Sequence, residues 1–130
     1  MKVITILLSA AVFTWVVSQP YDEQSSDPNA KTAPKKWETI ASYYGARYAE
    51  KPTASGEPFD PAAFTAAMWD VPFGTSVLVE HNGRSVICKI NDRGPNKRFT
   101  ERGIDLSQAS FERLADTRLG LIPVTITILD

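Results

Sequence analysis

Two stretches of the chain repeat with the two-residue period of a half-buried strand. In Arg84 to Ile90 the apolar side chains Val86, Cys88 and Ile90 fall in step, and near the end Val124, Ile126 and Ile128 alternate with Thr125 and Thr127. Ser76-Val77-Leu78-Val79-Glu80 precedes the first, separated from it by His81-Asn82-Gly83. Strand, Asn-Gly turn and strand predict a hairpin, with His81 in the turn. Ile40-Ala41-Ser42-Tyr43-Tyr44-Gly45 reads as a short strand closed by glycine, and Ala62 to Met68 as a strand or one helical turn. Between these, Arg47 to Pro61 holds Pro52, Gly56, Pro58 and Pro61, too many breakers for a helix, and is expected to be an ordered loop. Asp70-Val71-Pro72-Phe73-Gly74 is a turn. One helix is predicted over Gln108–Ala115, with Phe111, Leu114 and Ala115 on one face and Ser107 or Asp105 as its cap. Many short strands with one or two short helices predict an all-β fold, a small closed or nearly closed barrel.

The first part of the chain has a different character. Met1-Lys2 is followed by an apolar run to Val17, about 15 residues against the roughly 20 that span a bilayer. Val16-Val17-Ser18 permits cleavage near Gln19, so residues 1–18 are expected to be a signal peptide and the mature protein to have no transmembrane helix. No cysteine follows that run to take a lipid. The expected location is therefore secreted or periplasmic. Residues 19–38 are mostly Gln, Ser, Asp, Asn, Lys and Pro, the composition of a disordered linker, which leaves 39–130 as the folded domain.

Composition then removes several classes of function. With 14 basic and 15 acidic residues there is no excess of charge for binding nucleic acid. The lone cysteine, Cys88, excludes an intramolecular disulfide and sits in step with core positions; His81 is the lone histidine, too few ligands for structural zinc. No glycine-rich phosphate loop occurs. Neither metal nor cofactor is expected, and the protein is expected to act as a monomer.

Two apolar runs end in carboxylates, Ile90-Asn91-Asp92-Arg93-Gly94-Pro95 and Ile104-Asp105-Leu106-Ser107, so both aspartates are expected where the chain leaves a rigid element. The basic connection Asn96 to Gly103, carrying Phe99, suits an anionic or polyhydroxylated ligand. Each acid also has a plain structural role open to it. Asp92 can set a turn, Asp105 can cap the helix with Gln108 reaching back, and Glu57 can be a solvated loop residue.

Seven motifs occur together in order: Ala41-Ser42-Tyr43-Tyr44-Gly45, Thr53-Ala54-Ser55-Gly56-Glu57, Phe64-Thr65-Ala66-Ala67, Val71-Pro72-Phe73-Gly74-Thr75, Asn82-Gly83-Arg84-Ser85, the Asp92 motif and the Asp105 motif. The pattern resembles the rare lipoprotein A family over about Ile40 to Leu129, and more distantly the barrels of expansins and certain endoglucanases. The resemblance implies a six-stranded double-psi β-barrel and a lytic transglycosylase acting on peptidoglycan glycan strands. Asp105 would be the acid, assisted by Asp92, with Glu57 orienting substrate. Tyr44, Thr53, Asn91, Arg93 and Arg98 would bind substrate, Arg93, Lys97 and Arg98 holding its anionic parts. The acid would protonate the oxygen between N-acetylmuramic acid and N-acetylglucosamine, and the muramic C6 hydroxyl would close on C1 as a 1,6-anhydro ring. Met68 stands where the family pattern has histidine, and methionine transfers no proton. A groove that binds better than it cuts, a non-catalytic wall-loosening barrel and an inverting hydrolase therefore stay as alternatives.

Overall fold

The computed structural model describes residues 34–99 and 101–130, so the expected signal peptide and most of the linker lie outside the described residues. Six strands close into a barrel: β1 (Lys36–Tyr44), β2 (Thr65–Ala67), β3 (Ser76–His81), β4 (Arg84–Asp92), β5 (Arg102–Ser107) and β6 (Ile122–Ile128), in the order β1-β5-β2-β4-β3-β6. The pairs β1–β5 and β2–β4 are parallel; the other four are antiparallel. Helix α1 (Gln108–Leu114) follows β5, and single 3-10 turns occupy Ala46–Tyr48 and Thr117–Leu119. This is the all-β, six-stranded double-psi barrel expected.

Several boundaries differ from the sequence expectation. Strand β1 starts at Lys36, so the last three residues of the expected linker are paired, Trp37 standing opposite Ile126 of β6. His81 is the last residue of β3 and pairs with Arg84, not part of the turn; Asn82 (φ 46°) and Gly83 (φ 80°) alone make it, the positive angles of a type I′ hairpin. The helix cap is Ser107, whose Oγ accepts from the Ser110 amide at 3.2 Å. Asp105 takes no part in that cap, and Gln108 donates forward to Glu112 instead.

The core is apolar and continuous. Val77, Val79, Val86, Cys88, Ile90, Ile104, Leu106 and Ile126 fill the barrel, and Phe111 and Leu114 of α1 close one end. Cys88 packs there as expected, its thiol pointed at Ser110 Oγ (3.3 Å) and its pKa pushed up to about 11 by burial. Among the described residues the one ion pair, Arg118–Asp116, lies on an exposed 3-10 turn, so burial of apolar surface rather than charge pairing holds the barrel. No described helix is long and apolar enough to cross a membrane.

Both parallel pairings contain a register shift. On β5, Arg102 faces Ile40 and Ile104 faces Ala41, which leaves Gly103 as an extra residue. On β4, Ile90 faces Ala66 and Asp92 faces Ala67, which leaves Asn91 extra. Gly103 is constrained by contact: a Cβ there would meet the Thr39 side chain, with Thr39 Cβ only 2.9 Å away. Gly103→Ala is expected to lower stability by about 1–3 kcal/mol in urea denaturation. Thr39→Ala in the same chain removes two of the three nearest atoms and should recover part of the loss, a coupling that two independent defects would not show.

Candidate active site

The register shift at Asn91 decides where the Asp92 carboxylate stands. Residues directly opposite on neighbouring strands share a face of the sheet. Ala41, Ala66, Ile90, Ile104 and Leu106 belong to the core face. The next row across the same strands is Ser42 (β1), Asp105 (β5), Ala67 (β2) and Asp92 (β4), paired Ser42↔Asp105, Ala67↔Asp105 and Ala67↔Asp92. It lies on the other, outward face. By simple alternation Asp92 would follow Ile90 into the core; the extra residue Asn91 turns it outward beside Ala67, the re-aiming that bulges perform. The two aspartates thus flank one small side chain, their backbones two strand spacings or about 10 Å apart.

Tyr44, Tyr48, Thr53, Ala67, Asp92 and Asp105 line a cavity of about 200 Å³, with Lys51 and Phe59 at its edge. A second cavity of about 300 Å³ shares Tyr44, Tyr48 and Asp105 and extends past Ser42, Asn96, Phe99 and Arg102. Together they form a groove with Asp105 at the junction. Asp105 is half-buried, and Ser42 Oγ donates to its Oδ1 at 3.0 Å. Burial raises the Asp105 pKa and the Asp92 charge adds to that, while the Ser42 hydroxyl and Arg102 oppose it. Asp92 Oδ1 accepts two amides, Ala54 N at 2.9 Å and Arg93 N at 2.8 Å, which pins the Thr53–Glu57 turn against β4. Asp92 therefore has both a structural and a site position. Asp105 is not at the exit of its strand; it sits two residues before the end of β5.

The remaining expected site residues divide. Tyr44 and Thr53 line the cavity. The Tyr44 phenol stacks on Phe59 (4.4 Å between centroids) and its buried hydroxyl makes no hydrogen bond. Burial, then the Asp92 and Asp105 charges, push its pKa up; the nearby Thr65 hydroxyl opposes this weakly and forms no bond to it. Thr53 Oγ1 is occupied, donating to the Glu57 carbonyl at 2.8 Å. Arg93 lines the cavity too, but its guanidinium turns away: Nη1 donates to the Met68 and Val71 carbonyls (3.0 and 2.9 Å) and the group lies 3.8 Å from the Phe73 ring centre. Its position is that of a clamp between the two segments that follow β2 and β4. Asn91, the bulge residue, is buried with its Oδ1 unbonded and does not line the groove. Glu57 is exposed and outside the lining, as is Arg98, beside Phe99 on the flank.

Met68, expected in the groove, belongs to the core, because the alternation that sends Ala67 outward returns the next side chain inward. Only its backbone serves the site, its amide donating to the Asp92 carbonyl at 3.2 Å. His81 is far from this row, its Nδ1 2.7 Å from the Pro123 carbonyl oxygen. Sequence reading missed Ser42, Tyr48, Lys51 and Arg102. Ser42 was discoverable as the residue two before Tyr44 and so on its strand face, but nothing local joined it to Asp105, 63 residues away.

A family model described as lytic transglycolase matches residues 36–126. A probable endolytic peptidoglycan transglycosylase RlpA of Nostoc sp. is 50% identical over 95 residues, covering 69% of this chain and 25% of that protein. The chain spans about a quarter of the length of such curated relatives. Among solved structures, the Streptomyces papain inhibitor superposes with TM-score 0.63 at 26% identity, over 78% of this chain and all of the inhibitor. An expansin of Clavibacter michiganensis superposes with TM-score 0.58 at 18% identity, over 74% of this chain and 51% of that one, a likeness of fold. By its matched residues, its barrel and its relatives, the chain belongs to the lytic transglycolase family.

Proposed function

We propose that the protein cleaves peptidoglycan glycan strands as an endolytic transglycosylase, with Asp105 as the acid. The observation that carries the reading is the outward row Ser42–Asp105–Ala67–Asp92, which sets a half-buried carboxyl with raised pKa at the middle of a groove, opposite a second carboxylate. The name borne by the relatives supports the substrate class. A wall polymer as substrate places the site of action outside the cytoplasm.

In this mechanism Asp105 gives its proton to the glycosidic oxygen as the bond from that oxygen to muramic C1 breaks. The N-acetylglucosamine side leaves with a free 4-hydroxyl. Positive charge develops at C1 and the ring oxygen, and Asp92, on the far side of Ala67, is placed to stabilise it electrostatically. The muramic C6 hydroxyl then attacks C1, and its proton passes to the Asp105 carboxylate, which restores the acid. No water is consumed. Ser42 holds one Asp105 oxygen and leaves the other for substrate. Glu57 and Arg98 are not assigned to the reaction, since both stand outside the groove.

The direct test is mass spectrometry of glycan strands treated with the protein. New 1,6-anhydro-muramic ends are expected; hydrated reducing ends would mean hydrolysis, and binding with no new ends a non-catalytic barrel.

Asp105→Asn should abolish those ends without loss of stability. The fold holds the Asp105 proton more tightly than the unfolded chain does, because burial raises its pKa. The stabilisation is therefore full below the ordinary carboxyl pKa and is lost as pH rises through the raised folded value. At neutral pH the amide escapes that loss, so its melting temperature should equal or exceed that of the parent. A fall of several degrees would show instead that the carboxylate is structural.

Ser42→Ala removes a donor that lowers the Asp105 pKa. The alkaline limb of the kcat/KM profile should move to higher pH, with about 1 kcal/mol of stability lost from the broken hydrogen bond, and Ser42→Thr should bring the limb back. An unmoved limb in a slower variant would separate Ser42 from the titration of the acid.

A further inference from the structure

The barrel end away from α1 is open. There β1 and β5 begin and β2 and β6 end, around a cavity of about 570 Å³, within the usual range for small-ligand sites. Its walls include Trp37 and Trp69, its floor includes Met68, and Lys35, Asp70 and Arg102 stand among its polar lining. We propose that this mouth is a second glycan subsite, which takes the sugar rings next along the strand from those in the Asp105 groove. The proposal rests on the glycan reading of that groove and extends it.

Three observations select a sugar over an apolar ligand. A pyranose is amphipathic, with C–H faces for indoles and a rim of hydroxyls for donors and acceptors. Trp69 is 41% exposed, and Trp37 reaches the mouth from opposite Ile126 of the core. The four charged side chains of the lining, Lys35, Asp70, Arg102 and Asp130, form no ion pair within the described residues, so a lipid chain or a plain aromatic would strip their water and return nothing. Above all, the mouth adjoins the groove: Arg102 lines both, and the Trp69 indole donates from Nε1 to the carbonyl of Pro95, a groove residue, at 2.6 Å. One strand lying over Arg102 meets both sites. Met68 then has a role of its own. It gives the mouth an apolar lining beside the two indoles.

The test uses the full chain with Asp105→Asn, so that binding is read without cleavage, and peptide-free strands of alternating N-acetylglucosamine and N-acetylmuramic acid as the probe. In two-dimensional NMR the indole N–H signals of Trp37 and Trp69 should shift as glycan is added, together with groove amides near Tyr44. Trp69→Ala should weaken binding roughly tenfold. Indole signals that stay still while groove amides saturate would overturn the proposal, as would unaltered affinity in a folded Trp69→Ala. The indole shifts need no substitution at the mouth, so they decide for or against the subsite even where Trp69→Ala fails to fold. Glycan that shifts both indoles but yields no anhydro ends in the parent would count against the Asp105 assignment and leave the mouth assignment standing.

Discussion

A three-residue strand holds this site together. β2 is the shortest strand of the barrel, yet it pairs on one side with β4 in parallel and on the other with β5 in antiparallel, and Ala67 is the residue that faces an aspartate across each pairing. Shift β2 by one residue and Ala67 no longer stands between the two carboxylates. The register is defended by what lies on its other face, where Ala66 sits among Ile90, Ile104 and Leu106 in the core. A slip would turn Ala66 outward and bring the Thr65 hydroxyl toward that apolar interior, where an unpaired polar group costs free energy. The geometry of this row is in this sense a by-product of core packing.

The segments after β2 and β4 extend the same logic beyond the strands. Arg93 donates to two carbonyls of the 68–71 stretch, Trp69 donates back to Pro95, and Met68 and Asp92 are joined through the main chain. Such reciprocal bonds fix the groove wall without any disulfide. They also explain why a cation that the sequence alone would give to the substrate is occupied by the protein itself. Arginine suits that duty, since its planar fork satisfies two acceptors while its face rests on Phe73.

Much of the fold was legible because local signals and tertiary demands agree. The Asn82-Gly83 turn, the alternation ending in Ile128 and the apolar face of α1 each point to one conformation. The site was legible only in part. Asp92 and Asp105 stand out as acids that end apolar runs, but their shared face depends on Asn91 being extra, and no periodicity within one strand reveals a bulge that its partner defines. Alternation alone sends Asp92 to the core. Asp105 looked like a helix cap because Ser107, two residues on, supplies an equally good oxygen, and only three-dimensional pairing with Ser42 separates the two. Met68 misled for a related reason: a motif position has no face until its strand has neighbours.

Closure of the barrel has a consequence for how such a protein meets copies of itself. An open sheet offers a row of bare amides and carbonyls at each rim, which is a template for adding strands from other copies. Here β1 and β6, first and last of the six, pair with each other, and every strand has two neighbours. Molecules of this kind can therefore stand side by side at high local density without nucleating fibrils from one another's edges.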